Sequence, residues 1–261
     1  MRPVWTGAIG FGLVNIPVKL YSATQGSELD LDMLDKRDHS HIKYKRVSEK
    51  TGKEVPWGNI VKGYKVDNKY VVLEDADFEK ANAVKTKTIE ITEFVKEDEI
   101  DSMYFETPYY LVPDKSGVRA YALLREALEK SGKAGIASFV MRNKEGLAML
   151  RPDGNLILLN RLRFAEEIRD TKELPLPGKS VIKPSELKMA LSLINQLTAK
   201  FNIKKYKDTY TAQLLKTIRA KARSKGKTKE PVTHMKVVHS RTQDLMDQLK
   251  ASLGSKRKKV S

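Results

Sequence analysis

Four residues in one short run, Asp35, Asp38, His39 and His41, carry side chains that could ligate a metal or move a proton. Two carboxylates and two imidazoles could serve a metal-dependent nuclease, provided several converge on ions a few ångströms apart. On an extended strand neighbouring side chains point to opposite faces, so Asp38 and His39 diverge. No second carboxylate cluster of matching kind follows. A polar turn is the better reading, and the nuclease is kept as the alternative. The other two histidines, His234 and His239, lie in a basic tail. No Gly-x-Ser-x-Gly, Walker-type phosphate loop or His-Glu-x-x-His occurs. Gly7, Gly10 and Gly12 are spaced like a nucleotide-binding turn, but Pro17 and an alternating pattern follow them where a helix is needed. Close backbone packing in a barrel is their expected use. No catalytic residue, metal site or cofactor is expected.

The second chemistry on offer is attraction of a polyanion. Between Asp35 and Lys65 the cations Lys36, Arg37, Lys43, Lys45, Arg46, Lys50, Lys53 and Lys62 are spread over two segments that should turn near Glu49-Lys50-Thr51-Gly52. Neither face of the first limb is free of cations, so neither is expected to be buried. An isolated hairpin is marginal in water and needs something to lie on. A phosphate backbone suits the charge; a solvated surface hairpin whose lysines discourage edge pairing is the plainer alternative, and these residues alone favour it. The whole chain of 261 residues has 49 Lys+Arg against 33 Asp+Glu, a net charge of +16. From Lys216 to Ser261 there are 14 basic and 3 acidic residues, so this tail holds +11 of that charge. Such asymmetry points to a polyanion, most often nucleic acid, with ribosome-associated or membrane-surface binding as the plainer competitor that the tail alone does not separate from it. Cysteine is absent, which excludes a disulfide framework, thiolate zinc sites and cysteine nucleophiles. No run reaches the ~18 apolar residues of a membrane helix, and no signal-peptide pattern opens the chain. A cytoplasmic protein without membrane contact is expected.

The elements that must position these groups are mainly β. Residues 2–21, 64–73, 87–95, 103–113, 136–142, 146–151 and 155–164 alternate as strands, with turns at Asp67-Asn68, Asn143-Lys144 and Asp153-Gly154. Pro108 should mark an edge or bend. A short helix is expected over 75–84, capped by Asp75. A longer one is expected over 116–130, capped by Ser116, with Ala120, Leu123, Leu124, Ala127 and Leu128 inward and Gly132 as its stop. About seven strands with an inserted helix predict a barrel or sandwich. Leu174–Gly178 reads as a linker, after which the period turns helical. A helix over 184–201 carries Leu187, Leu191, Ile194 and Leu197 on one side, for packing on its own barrel or on a second copy. Another spans 208–224. A last short helix would present Leu245, Met246, Leu249 and Leu253 before the terminal Lys256, Arg257, Lys258 and Lys259.

The segments RPVWTGAIGFGLVNIPVKLYSAT, IVKGYKVDNKYVVLEDADFE, EIDSMYFETPYYLVPDKSGVRAYALLREAL and KYKDTYTAQLL occur in this order, and in them the chain resembles the prokaryotic Ku family. The resemblance runs from Arg2 to about Leu215. It implies a mainly β fold: a seven-stranded barrel with a long DNA-encircling arm at about 30–66 inside a core domain of 1–173. A C-terminal helical arm over 174–224 and a basic, partly flexible tail over 225–261 would follow. It further implies a non-enzymatic homodimer that threads onto double-stranded DNA ends without sequence preference. Recruitment of an ATP-dependent DNA ligase for non-homologous end joining is part of the same implication. Some relatives carry a cysteine pair where this chain reads RVSEKTGKEVPW.

In this frame the arm cations listed above and Lys256, Arg257, Lys258 and Lys259 are expected at DNA. Leu187, Leu191, Ile194 and Leu197 are expected in dimer or arm packing, and Leu245, Met246, Leu249 and Leu253 at the ligase. A barrel that coats nucleic acid by stacking bases on Tyr104, Phe105, Tyr109 and Tyr110 is a further alternative, although core packing suits most of these rings better.

Overall fold

The computed structural model describes residues 1–81, 87–142, 144–178, 182–223 and Leu249. The chain divides into two compact units, Met1–Asp170 and Thr171–Ser261. In the first, seven strands close a barrel: β1 (Trp5–Phe11), β2 (Val14–Ser22), β5 (Thr88–Val95), β6 (Phe105–Pro113), β7 (Ala134–Met141), β8 (Lys144–Asp153) and β9 (Leu156–Leu162), in the order β1-β2-β6-β9-β8-β7-β5. All pairs are antiparallel except β1 with β5, which closes the ring. The strands β3 (Lys62–Val66) and β4 (Lys69–Leu73) form a separate hairpin, turned at Asp67 and Asn68, both with positive φ.

Period-2 alternation decides what the barrel encloses. Ile16, Val18 and Leu20 of β2 point inward and are fully buried, and Ile9, Ile89, Leu111, Leu150, Ile157 and Leu159 join them from other strands. Helix α2 (Val118–Ser131) packs into the same cluster through Tyr121, Leu124 and Leu128, at helical spacing. Each such large apolar side chain contributes about 1.5–3 kcal/mol by leaving water. The Tyr121 hydroxyl donates to the Leu111 carbonyl at 2.6 Å and accepts from the Ile157 N–H at 2.6 Å. Leu111 and Ile157 are the last paired residues of the β6–β9 ladder, so one phenol satisfies both strands. Burial raises the Tyr121 pKa, because the phenolate would lose its hydration.

Several local expectations change. Leu123 and Ala127 do not face the core; they lie off the stripe that Tyr121 shares with Leu124 and Leu128, and are exposed. Ser116 does not cap α2, whose N-cap is Gly117; Gly132, at φ 62°, does stop it. Helix α1 (Asp75–Ala81) is held by Asp77, which accepts the Glu74 N–H, and Asp75 is already inside the helix. Pro108 sits at an irregularity in the β6–β9 register, as its missing N–H requires. The glycines are structural. A Cβ on Gly7 would strike the Lys87 carbonyl and the Trp5 ring, while Gly12 turns the β1–β2 hairpin at φ +57°.

The second unit contains α3 (Pro184–Leu197) and α4 (Thr209–Arg223). Pro184 occupies the first turn of α3, and the Glu186 carboxylate accepts the Lys183 N–H at 3.1 Å. The helix ends at Leu197, four residues before the expected Phe201. Phe201 instead stacks on Tyr206 at 6.2 Å, around a turn in which Asn202 accepts the Lys204 N–H. Asp208 caps α4 by accepting the Thr211 N–H and hydroxyl, which hold its carboxyl below the ordinary range. Neither helix has a buried residue.

Candidate nucleic-acid interface

Residues 24–81 run between β2 and β5, and none of them is buried. The basic hairpin expected from the sequence is two short turns in series rather than one long ribbon. In the first, the Asp35 N–H bonds to the Ser40 carbonyl and Leu34 bridges His41. In the second, Val47 bridges Glu54, and Ser48 pairs with Lys53 around Gly52 at φ +66°. After them in the chain the β3–β4 hairpin carries Lys62. The Glu49–Gly52 turn is therefore where the charge pattern put it, but the limbs on either side are shorter.

Asp35, Asp38, His39 and His41 build the first turn. Asp35 accepts from the Arg37 guanidinium at 2.6 and 3.1 Å and from its backbone N–H, with its pKa lowered by those bonds. Asp38 accepts the Ser40 N–H at 2.9 Å, which lowers its pKa, and His39 takes a left-handed backbone at φ 58°. Among the described residues no three His, Asp or Glu groups stand close enough together to hold a metal ion. Three of the four aromatics of β6 and its approach are also engaged. Tyr104 and Phe105 pack on a small outer cluster with Met149 and Leu162, and Tyr109 packs on the barrel core.

The eight arm cations fall into three groups. Arg37 and Lys45 have carboxylate partners, Asp35 at 2.6 Å and Glu54 at 2.7 Å. Arg46 lies 4.4 Å above the Trp57 ring and Lys62 lies 4.6 Å above that of Phe78. The side chains of Lys36, Lys43, Lys50 and Lys53 have no partner among the described residues. All eight residues are exposed. The sequence reading missed Glu54, Trp57 and Phe78. For the first two the signal was there: a turn centred between Lys50 and Thr51 sets Val47 opposite Glu54, bringing Lys45 and Arg46 onto the returning limb.

Leu187, Leu191, Ile194 and Leu197 are each at least half exposed, a stripe along one side of α3. Leu245, Met246, Leu253 and Lys256, Arg257, Lys258 and Lys259 lie outside the described residues, and Leu249 is described alone.

A family model described as the Ku70/Ku80 beta-barrel domain matches residues 10–189. The chain belongs to the Ku family. A protein of Opitutus terrae named "Non-homologous end joining protein Ku" is 45% identical over 230 residues, covering 87% of this chain and 83% of its own. Proteins of the same name from Coxiella burnetii and Archaeoglobus fulgidus are each 41% identical. The alignments cover 98% of this chain and 96% of the first, and 97% of this chain and 98% of the second. The Ku match takes in the barrel from the end of β1 onward, the arm and the start of α3. No helix among the described residues is long and apolar enough to cross a membrane.

Proposed function

We propose that this chain is a non-enzymatic DNA-end-binding protein of non-homologous end joining, working in the cytoplasm at the nucleoid. Two copies form a ring that threads onto linear double-stranded DNA and recruits an ATP-dependent DNA ligase. One observation supports this beyond the family: residues 35–62 bury nothing of their own, yet display eight cations against four carboxylates on a framework fixed by short-range contacts. A segment of this kind needs an external surface, and phosphates supply one of matching charge. Phosphate contacts give affinity without sequence information, as joining of arbitrary breaks requires. One arm cannot close around a duplex, whereas two arms related by a twofold axis can. The α3 stripe of Leu187, Leu191, Ile194 and Leu197 is the apolar surface on which the second copy packs. The segment around Leu245, Met246, Leu249 and Leu253 contacts the ligase, and the terminal Lys256–Lys259 run adds affinity outside the ring.

Competition tests the threading. Protein bound to a short labelled duplex is challenged with equal masses of linear and covalently closed circular DNA of one sequence. Only the linear form should displace the label efficiently; equal displacement by the circle contradicts a threaded ring.

A further inference from the structure

The arm holds its cations in chemically different ways, and the difference predicts which ones grip DNA hardest. A carboxylate partner fixes a cation but neutralises it, so a phosphate must compete with Asp35 for Arg37 and with Glu54 for Lys45. A lysine without a partner keeps its charge but loses side-chain freedom when it binds. An aromatic ring does something else: it fixes the cation and leaves its charge and N–H donors available. Arg46 over Trp57 and Lys62 over Phe78 are held in this way. Arg46 is the better placed, because a guanidinium stacked on a ring still presents its edge as a rigid fork for phosphate oxygens. The backbone supports the seat: the Val55 N–H bonds to the Arg46 carbonyl at 2.8 Å, and Trp57 follows two residues later in a short 3-10 turn.

We propose that Trp57 is a positioning residue that seats the Arg46 guanidinium for a bidentate contact to a DNA phosphate, with Phe78 of α1 and Lys62 of β3 forming a second aromatic seat for a cation. This rests on the reading that the arm contacts DNA. The second ring face of Trp57 remains open, since the residue is 71% exposed. Its replacement therefore disturbs no core.

The test is a double-mutant cycle on the full chain, binding a linear duplex across a salt series, with Arg46→Ala, Arg46→Lys, Trp57→Ala, Trp57→Phe and the Arg46→Ala/Trp57→Ala pair. Arg46→Ala should lower the log-log salt slope by ~0.9 per arm. Trp57→Ala should leave the slope intact and weaken binding by about two- to fivefold per arm, the exposed cation–π range. Trp57→Phe should retain most of the affinity, and Arg46→Lys should keep the slope but bind less tightly. In the Arg46→Ala background Trp57→Ala should cost nothing further. If Trp57→Ala is silent, or costs the same in both backgrounds while Arg46→Ala lowers the slope, the seat is overturned and the arm's role in DNA binding stands. A slope untouched by Arg46→Ala overturns the seat. If replacing Lys36, Lys43, Lys50 and Lys53 also leaves it untouched, the reading of the arm falls too.

Discussion

Replacing Lys36, Lys43, Lys50 and Lys53 together by glutamine probes the arm's charge with little structural side effect. Their ammonium groups touch no other side chain among the described residues, and their positions bury nothing. In a twofold ring each substitution occurs twice, so up to about eight phosphate contacts are removed. At ~0.9 per contact on duplex DNA, the slope of log K against log salt should fall by up to about 7. Between 50 and 200 mM salt that slope alone is worth about four orders of magnitude in affinity. The assay is fluorescence anisotropy on a labelled blunt duplex at five or six salt concentrations, with thermal unfolding as the folding control. A drop of about 3 or more with an unchanged melting temperature supports the arm as the DNA contact. A slope within one unit of the parent protein refutes the assignment, whatever happens to affinity at a single salt concentration.

Tyr121→Phe should cost about 1–3 kcal/mol in chemical denaturation, because the buried Ile157 N–H and Leu111 carbonyl both lose the phenol. The Tyr121 pKa is raised in the fold, so its contribution is intact below the unfolded value near 10.0 and is lost as pH rises through the folded value; the alkaline fall in stability should be shallower in Tyr121→Phe. Leu191→Asp with Ile194→Asp should give a monomer by light scattering with the barrel's melting unchanged, since both side chains are exposed in the single chain. A dimer that survives both changes places the interface elsewhere. Deleting residues 225–261 should leave end binding measurable and reduce stimulation of the ligase; loss of dimerisation instead would contradict the division of labour between α3 and the tail.

The barrel was legible because its information is local and redundant. Alternation in β2, the Asp67-Asn68 turn and the Asp153-Gly154 signal each state a strand or hairpin without reference to distant residues. Pro108 announced an irregularity and produced one. What the periodicity left open was rotation and partnership. It placed Leu123 inward because it counted leucines, whereas the helix turns toward the core through Tyr121, a residue whose hydroxyl finds two backbone partners there. The candidate interface was legible as charge and illegible as geometry. Lysine counts located the arm, but whether a cation faces a carboxylate, a ring or nothing depends on a turn register that a one-residue slip would invert. The α3 stripe shows the remaining gap: amphipathic spacing reports that a face must be covered and does not name the covering surface.

Threading is the central claim, and trapping tests it most directly. The protein is loaded onto linear DNA with joinable ends, the ends are sealed into a covalently closed circle by an added ligase, and high salt with excess linear competitor is applied. A ring should stay on the sealed circle, because no phosphate contact need persist for a closed loop to remain linked, and should leave once the circle is cut. Protein that leaves the sealed circle as fast as it leaves the linear form would contradict an encircling arm.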